Sequence, residues 1–417
     1  MPDEVRGASH EENVASGVEA APTGGSRLLR LRGVWAARAG FRTGNRLELL
    51  HGGDALFTRF VELCDAARHE IVFETYIFCH DRIGRMVSEA LQRAARRGVR
   101  VRVVTDGLGT AKLDLFDAWP AAGIERRIYN PHVFGPKGFS RTHRKLAVID
   151  ERYAFVGGIN VVDDYYNGDH RLDHPRWDFA VQAEGPVVAD VRAALEKQWR
   201  RLESAAARAA RRKPQRPQRP ALPPPGEPAV AFVSRDNFRH RHTIENAYLL
   251  ALAHARHQVL LANPYFVPGR RLRRAMLAAA ARGVDVRLVV GCKEFFLLDC
   301  AVPWLYGRLL KAGVRIAEYN KTLLHGKVAI VDDSWGTVGS SNLDAFSLLV
   351  NQEANLVIVN DPILDELKRA ILKAYDDGVE IDVARYTARP WWRRLGNRLA
   401  YSLYRVCMKV LTIGRYD

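Results

Sequence analysis

The chain has 417 residues, of which 63 are Lys or Arg and 47 are Asp or Glu, and its net charge is +16. The length predicts about two domains, and a hydrophobic content of 47% is sufficient for ordinary globular cores. No run of residues approaches the roughly 18 apolar positions that a membrane-spanning helix needs. The positive charge favours an anionic partner, such as nucleic acid, anionic lipid or a phosphorylated substrate.

The N-terminal segment and the cysteines both bear on the cellular compartment. Residues 1–28 are polar and rich in small residues, so we expect a disordered extension, and they lack the apolar core of a secretory signal. The five cysteines are odd in number and form no Cys-x-x-Cys motif; they are Cys64, Cys79, Cys292, Cys300 and Cys407. This usage favours a reducing, cytoplasmic environment over a disulfide framework.

Two long segments, 29–204 and 229–380, repeat one order of predicted elements. In each segment a buried strand precedes a helix, and a Val-rich strand follows the helix. The two helices end at Gly98 and Gly283, and glycine is the usual residue after a helix. Strands that alternate with helices predict βαβ units, so the two copies predict an internal duplication with one domain in each segment.

Each segment also contains the same short motif, a His, a Lys two residues later and an Asp five residues after the Lys. The first copy is Thr142–Asp150 (THRKLAVID) and the second is Leu324–Asp332 (LHGKVAIVD). A strand and a tight turn of small residues follow each copy and end at Asn160 and at Asn342. A motif that recurs with its surroundings is far more specific than a single match.

The motif predicts a site for phosphodiester chemistry. Side chains two residues apart on a strand point the same way, so His143 shares a face with Lys145, and His325 with Lys327. If the copies face each other, one His attacks phosphorus and the other protonates the departing alkoxide. Ammonium and amide groups then hold the non-bridging oxygens, and the predicted phosphate-binding residues are Lys145, Asn160, Lys327 and Asn342.

Four acidic residues complete the predicted site in two different roles. Asp150 and Asp332 stand where the strand of each motif ends, and we expect them to fix the turn there. Asp178 and Glu353 each open a later strand-like run. We assign them to orient the two histidines, because each imidazole needs an acceptor for its second nitrogen.

A polar cluster between the two motifs raises the question of a metal. It contains Asp169, His170, Asp173, His174 and Asp178. These residue types bind metals, but they lie in a segment without the ligand spacing of an ordered site. We interpret the segment as a polar loop near the mouth of the site. We predict no metal and no cofactor, since ammonium groups can stabilise the developing charge.

Two other segments differ in composition from the repeats. Residues 205–228 are rich in Pro and Arg and predict an extended linker. In the C-terminal tail, 381–417, apolar residues recur at three- and four-residue spacings between arginines, which predicts an amphipathic helix. The apolar positions are Trp392, Leu395, Leu399, Leu403, Val406 and Val410. Such a helix fits an anionic membrane surface or the protein's own core, and periodicity does not decide between them.

Two aromatic segments flank the motifs, at 130–141 and 292–310. The first favours a lipid-facing rim around the mouth of the site. For the second, a rim and ordinary packing remain equal alternatives, because aromatic side chains more often pack inward.

The paired motifs, followed by GGIN and GSSN, resemble the phospholipase D superfamily over roughly residues 46–359. The segments FETYIF, SRDNFRH, ANPYFVPG and NQEANL are similar to bacterial cardiolipin synthases of the B type. The resemblance implies an α/β fold of two duplicated phospholipase D-like α/β/α sandwich domains, with mixed β-sheets flanked by helices and one shared active site. It places six residues in the family's catalytic motifs: His143, Lys145, Asp150, His325, Lys327 and Asp332.

The activity that the resemblance implies is the transfer of a phosphatidyl group from one phosphatidylglycerol to another, with release of glycerol. The route passes through a phosphohistidine, and the resemblance favours His143 as the nucleophile. The expected partners are phosphatidylglycerol and an anionic membrane surface. The expected location is peripheral, on the cytoplasmic side of the bacterial inner membrane. The Trp-led tail disfavours nucleic acid as a partner, and the sequence leaves the oligomeric state open.

Two alternative functions remain at this point. The same site can hydrolyse lipid or DNA if water replaces the alcohol, as a phospholipase D-like phosphodiesterase or nuclease. A non-catalytic scaffold that binds anionic lipid or nucleic acid is the other alternative. The complete pairs of His, Lys and Asn argue against a scaffold, because a protein that only binds needs no second set.

Overall fold

The computed structural model describes most of the chain as two mixed β-sheets with helices around them. The described residues are 40–110, 112–132, 139–203, 227–236, 240–292 and 300–411. The extension at 1–28 lies outside them, and so does the predicted linker except for residues 227 and 228. The limits of the predicted domains therefore stay predictions.

The first half of the chain forms a seven-stranded sheet in the order β1-β9-β6-β5-β2-β3-β4. Its strands are β1 (Arg46–His51), β2 (Glu70–Thr75), β3 (Arg100–Asp106), β4 (Glu125–Tyr129), β5 (Lys145–Ile149), β6 (Tyr153–Gly157) and β9 (Phe179–Glu184). The short strands β7 (Tyr166–Asn167) and β8 (His170–Arg171) pair separately. The helices are α1 (Gly53–Ala66), α2 (Arg82–Arg96), α3 (Trp119–Ala122) and α4 (Val187–Arg201), with a 3-10 turn at Asp114–Phe116.

The second half forms an eight-stranded sheet in the order β10-β16-β15-β14-β11-β12-β13-β17. Its strands are β10 (Ala229–Arg235), β11 (Gln258–Asn263), β12 (Asp285–Gly291), β13 (Arg315–Tyr319), β14 (Val328–Val331), β15 (Trp335–Gly339), β16 (Glu353–Val359) and β17 (Val379–Glu380). The helices are α5 (Thr243–His254), α6 (Arg270–Ala281), α7 (Pro303–Lys311), α8 (Ala345–Leu349), α9 (Ile363–Asp377), α10 (Val383–Thr387) and α11 (Trp391–Leu411).

The two sheets have the same topology, which confirms the predicted fold class. In the first sheet β2 pairs in parallel with β3 and antiparallel with β5. In the second, β11 pairs in parallel with β12 and antiparallel with β14. Gly98 and Gly283 follow the two equivalent helices with φ of 90° and 85°, a conformation that glycine adopts without strain.

One apolar core joins the inner faces of the two sheets. It contains Val156 and Val181 from the first sheet and Val338 and Leu356 from the second, all of which are buried. Full burial of a side chain of this kind contributes about 1.5–3 kcal/mol to the stability of the fold. The halves are therefore packed as one body, and the segments that carry the repeated motifs have fixed positions relative to each other.

None of the helices in the described ranges combines the length and the apolarity that a bilayer crossing requires.

Gly157 and Gly339 end the strands that follow the two motifs, where neighbouring backbone leaves no room for a side chain. A Cβ on Gly157 would lie 2.5 Å from the carbonyl oxygen of Phe179, and one on Gly339 would lie 2.5 Å from that of Ala354. These oxygens belong to the backbone, so they cannot move aside as a flexible side chain would. The small residues after each motif are thus required by strand packing.

We expect Gly157→Ala to lower the free energy of unfolding by about 1–3 kcal/mol, because the methyl group overlaps the adjacent strand. Urea denaturation monitored by circular dichroism measures the loss. The matched control is Gly396→Ala in α11, where a Cβ meets no heavy atom within 4 Å. Equal urea midpoints for Gly157→Ala and the unmodified chain would contradict the prediction.

Candidate active site

The two motif segments meet at the junction between the sheets, and each one is hydrogen-bonded to the opposite half. The backbone N–H of His143 donates to the carbonyl of Gln352 at 2.9 Å. The backbone N–H of His325 donates to the carbonyl of Trp177 at 2.9 Å. Both motif segments therefore lie at the junction, as they must if the two copies contribute to one site.

Each imidazole has its hydrogen-bond acceptor in the opposite half of the chain. Nδ1 of His143 lies 3.1 Å from Oε2 of Glu353 and 3.1 Å from the carbonyl oxygen of Ser340. Nδ1 of His325 lies 2.5 Å from Oδ2 of Asp178. Each histidine thus faces the acidic residue of the other half. These contacts leave Nε2 as the nitrogen of each ring that can react.

The two carboxylates are themselves held in place, but by different means. Glu353 is fully buried, and its Oε2 accepts the hydroxyl hydrogen of Ser340 at 2.6 Å. Asp178 is also buried, and its Oδ1 accepts the N–H of Phe179 at 2.8 Å. A Cβ on Gly158 would lie 2.4 Å from Oδ1 of Asp178, so glycine is needed there. The second half has Ser340 at the equivalent position, where it binds the carboxylate instead of avoiding it.

The two lysines are buried beside the histidines. Nζ of Lys145 donates to the carbonyl oxygen of His143 at 2.8 Å, and Nζ of Lys327 donates to that of His325. Because an ammonium group has three hydrogens, a lysine can donate to an anion as well as to a backbone carbonyl. The pair is therefore suited to two oxygens of one phosphodiester.

Burial and mutual repulsion shift the pKa values of the basic groups downward. Burial lowers the pKa of His143, and burial together with the charge of Lys327 lowers the pKa of His325 to about 3. The same two causes lower the pKa of Lys145 to about 7. At neutral pH both imidazoles of the empty site are uncharged, and Lys145 lies near its midpoint of protonation.

The carboxylates respond in the opposite sense to the same surroundings. Burial alone raises the pKa of Asp178, but its interaction with the imidazole of His325 and the charge of Lys327 lower it by a larger amount, so the net shift is downward. The pKa of Glu353 is likewise raised by burial and lowered by His143 and Lys145, with a net shift downward. Both groups are therefore carboxylates at neutral pH and accept hydrogen bonds from the imidazoles.

The two asparagines lie three residues beyond β6 and β15. Oδ1 of Asn160 accepts the N–H of Ile77 at 3.2 Å, which directs its amide hydrogens elsewhere. Asn342 is buried, and its Oδ1 has no hydrogen-bond partner among the described residues. Phosphate binding by these amides stays a prediction.

The aspartates of the motif lie away from the histidines. Asp150 accepts the N–H groups of Arg68, His69 and Glu70 at 2.8–3.0 Å, which ties the end of β5 to the start of β2. Asp332 accepts the equivalent three N–H groups at 2.7–2.9 Å. Five residues of strand separate Lys145 from Asp150, about 17 Å. The resemblance includes both aspartates in the catalytic motifs, whereas their contacts are structural, as the turn prediction expects.

Sequence reasoning missed one aromatic side chain at the site. The ring of Tyr76 lies 4.9 Å from that of His143, edge to face, and its centroid is 5.3 Å from Nζ of Lys145. The ring limits the positions of both groups and adds a cation–π contact. Its sequence signals are the position directly after β2, at the carboxyl end of a buried strand, and its place in the segment FETYIF.

The predicted polar cluster divides in the structure. Asp169, His170, Asp173 and His174 are exposed in and directly after the β7–β8 hairpin, whereas Asp178 is buried against His325. Within the described ranges no group of three or more His, Cys, Asp or Glu is placed to hold a metal ion.

Parts of the predicted aromatic rim fall outside the described residues, at 133–138 and 293–299. Phe139, four residues before His143, has 41% of its surface exposed, and Trp304 has 37%. Both segments therefore expose an aromatic ring, although Tyr306 of the second segment is buried in the core.

Comparison with known proteins gives concordant matches. A family model described as "Cardiolipin synthase, PLD-like domain" matches residues 60–173 and 248–375. Cardiolipin synthase B of Salmonella typhi is 40% identical over 394 residues, which cover 88% of this chain and 90% of the relative. Cardiolipin synthase B of Escherichia coli K12 is 37% identical over 392 residues with the same coverage.

Among solved structures, a phosphatidylserine synthase from Haemophilus influenzae Rd KW20 superimposes with a TM-score of 0.64. The match covers 93% of this chain and 99% of that one at 14% sequence identity. This likeness concerns the fold alone.

We expect Asp150→Ala to destabilise the fold by about 2 kcal/mol or more, because three N–H groups lose a charged acceptor. Asp150 also has φ of 50°, a conformation that Asp and Asn tolerate better than Ala. The matched control Asp150→Asn keeps this conformation and one oxygen acceptor, so its loss should be smaller. Urea denaturation measures both. A catalytic rate per folded molecule that fell a hundredfold, with unchanged stability, would contradict the structural role.

Proposed function

The chain belongs to the phospholipase D-like cardiolipin synthase family, and from this premise we propose that it makes cardiolipin from two molecules of phosphatidylglycerol, with release of glycerol. Members of this family are phosphatidyltransferases, and so is this chain. The observation that carries the proposal is the pairing of each motif histidine with a buried carboxylate of the opposite half, beside two buried lysines.

In the first step Nε2 of His143 attacks the phosphorus of the donor phosphatidylglycerol. Hydrogen bonding of Nδ1–H to Glu353 and to the carbonyl of Ser340 leaves the lone pair on Nε2. The N–P bond forms while the bond from phosphorus to the glycerol oxygen breaks. The imidazolium of His325 gives its proton to that oxygen, so glycerol departs neutral and a phosphatidyl-histidine remains.

Substrate binding supplies the charge that His325 needs for this role. In the empty site its pKa is lowered to about 3 by burial and by Lys327. The negative phosphodiester, placed between the lysines, opposes the effect of their charge and raises the pKa of the ring. The carboxylate of Asp178, 2.5 Å from Nδ1, then stabilises the imidazolium.

The lysines stabilise the charge that gathers on the non-bridging oxygens. Lys145 and Lys327 are fixed by bonds to the carbonyl groups of their own histidines, so little reorganisation is needed when the charge develops. The amide hydrogens of Asn160 and Asn342 are the further donors in this proposal. Loss of one such donor typically lowers kcat about 100- to 1,000-fold.

In the second step the acceptor is the headgroup glycerol of another phosphatidylglycerol. Nε2 of His325, now neutral, removes the hydroxyl proton, and the oxygen attacks phosphorus. The N–P bond to His143 breaks, which yields cardiolipin and restores the imidazole of His143 and the imidazolium of His325. Water in place of this hydroxyl would give phosphatidic acid, so exclusion of water from the site decides between transfer and hydrolysis.

The substrate of this reaction is a bilayer lipid, so we place the enzyme at the membrane surface, on the cytoplasmic side of the bacterial inner membrane. A net charge of +16 supports attachment to anionic lipid, which is also the proposed donor and acceptor.

Mass spectrometry of the products from phosphatidylglycerol vesicles tests the proposal directly. With EDTA present, the unmodified protein should form cardiolipin and glycerol. His143→Ala should lower the rate by at least about a thousandfold, because no N–P bond can form. His174, an exposed histidine three residues after β8, gives the matched control His174→Ala, which should retain the rate.

Three other outcomes of this assay would contradict parts of the proposal. Phosphatidic acid as the only product would identify a hydrolase. Cleavage of plasmid DNA without lipid turnover would identify a nuclease. A radiolabelled phospho-adduct trapped on His325 in place of His143 would exchange the roles of the two histidines.

We expect the fall of kcat/KM with rising pH to steepen by about a further tenfold per pH unit above an apparent pKa near 7, because Lys145 binds phosphate only when it is charged. The assay uses short-chain phosphatidylglycerol below its micelle concentration, so that surface charge does not contribute. Lys145→Arg keeps the charge at all these pH values. In an active Lys145→Arg enzyme, the fall of kcat/KM above pH 7 should shift to higher pH. A fall at the same pH as in the unmodified protein would assign this pKa to another group.

A further inference from the structure

The C-terminal helix α11 has two apolar faces, and the residues that the structure describes cover only one of them. Tyr401, Tyr404 and Met408 are buried in the core of the second half. Leu399 is 61% exposed and Leu403 is 54% exposed. The sequence left open whether this helix packs on the protein or presents an apolar surface, and the described part of the helix does both.

We call the uncovered face the apolar stripe. Its members have between 45% and 70% of their surface exposed, and they are Trp391, Trp392, Leu395, Leu399, Leu403 and Val406. At 3.6 residues per turn, Leu395, Leu399, Leu403 and Val406 lie within about a quarter of the helix circumference. The buried residues lie on the opposite side, so rotation that buried the stripe would expose the face that is now packed.

Specific contacts hold the helix in this orientation. Nη1 of Arg273 in α6 donates to the hydroxyl of Tyr401 at 2.7 Å. The guanidinium of Arg398 lies 5.9 Å from the ring centre of Trp304 in α7. The stripe is therefore a preformed surface of the protein, with its orientation set by α6 and α7.

A groove runs beside the stripe, between α11 and the start of α7. Its volume is about 850 Å³, and its lining includes Cys300, Pro303, Trp392, Leu399 and Leu403. Arg389 and Arg393 contribute to the same lining. Apolar walls with guanidinium groups match a molecule that has an apolar chain and an anionic head, which is the chemistry of an anionic phospholipid.

The charge of the helix also selects an anionic surface. From 391 to 411 its charged residues are all basic: Arg393, Arg394, Arg398, Arg405 and Lys409. A helix with an apolar face, interfacial tryptophans and basic flanks binds at the boundary between headgroups and acyl chains. Lys and Arg side chains near an anionic membrane strengthen this attachment.

The stripe lies at the same edge of the second sheet as the active site. β11 and β12 are parallel, and α6 and α7 begin beyond their carboxyl ends. At that edge a Cβ on Gly291, the last residue of β12, would lie 3.4 Å from the carbonyl oxygen of Leu324, which precedes His325. Contact between the stripe and a bilayer therefore brings the mouth of the site toward the lipid.

Exposed apolar side chains of the first half lie at the corresponding edge. Leu108, which is 56% exposed, follows the carboxyl end of β3, and Phe139 precedes the first motif. The two halves thus present apolar groups on the side where the motif histidines lie.

From these observations we propose that the apolar stripe of α11 is the surface through which this enzyme docks on an anionic phospholipid bilayer. The orientation of the mouth toward its substrate rests on the function proposed above. The docking itself rests on the exposure, fixed orientation and charge of the helix.

Vesicle flotation of the full chain tests the docking. The unmodified protein should bind phosphatidylglycerol vesicles and dissociate from them as the salt concentration increases. It should bind phosphatidylcholine vesicles much more weakly. The double variant Leu399→Gln with Leu403→Gln should weaken binding to phosphatidylglycerol vesicles about tenfold or more, because two apolar anchors are lost. Leu399→Met with Leu403→Met keeps both anchors and should bind like the unmodified protein.

Turnover of monomeric short-chain phosphatidylglycerol separates docking from chemistry. Both double variants should retain this turnover, which also shows that they are folded, while the Gln variant should lose turnover on vesicles. Vesicle binding of the Gln variant equal to that of the unmodified protein would overturn the docking proposal. So would loss of a dimer, detected by light scattering, with vesicle binding unchanged. Absence of monomer turnover in the unmodified protein would instead contradict the proposed function and leave the flotation result standing.

Discussion

The site depends on one physical arrangement, in which each half of the chain supplies the carboxylate that holds the other half's imidazole. Asp178 and His325 are 147 residues apart in the chain, and Glu353 and His143 are 210 apart. Neither half contains both members of either of these two pairs. The apolar core between the sheets is therefore a condition for the chemistry, because a shift of about 1 Å between the halves would disturb both pairs at once.

Burial of these charged groups has a cost that their mutual contacts offset. A buried carboxylate without a partner would favour its neutral form, and a buried lysine would do the same. Here the acidic and basic groups lower each other's free energy. The N–H of Phe179 donates to the second oxygen of Asp178, and the hydroxyl of Ser340 adds a second donor to Oε2 of Glu353. A bound anion would relieve the repulsion between the two lysines. The proposed preference for a phosphodiester follows from the same packing that forms the core.

The duplication is not perfectly symmetric, and the difference falls beside the histidines. Gly158 makes room for Asp178, whereas Ser340 donates to Glu353 and offers its carbonyl to His143. One imidazole has a single short contact to a carboxylate, and the other shares its hydrogen between two acceptors. Unequal surroundings suit a reaction in which one ring must form a bond to phosphorus while the other carries a proton.

The sequence by itself determined the fold class, the duplication and the two His–Lys pairs. It could do so because strand alternation, helix ends and motif spacing are local properties, and the repetition of a local pattern is visible without coordinates. The turn role of Asp150 was also readable, since it depends on the residues at the end of one strand.

Only the tertiary structure decided which carboxylate meets which histidine, because partners about 150 to 200 residues apart are brought together by packing between sheets. It also placed Tyr76 against His143, for which spacing gives no signal. The orientation of α11 was undetermined for the same reason. Periodicity shows that a helix has an apolar face, but Leu399 and Tyr401 are both apolar in the sequence, and only their neighbours in space decide that one is exposed and the other buried.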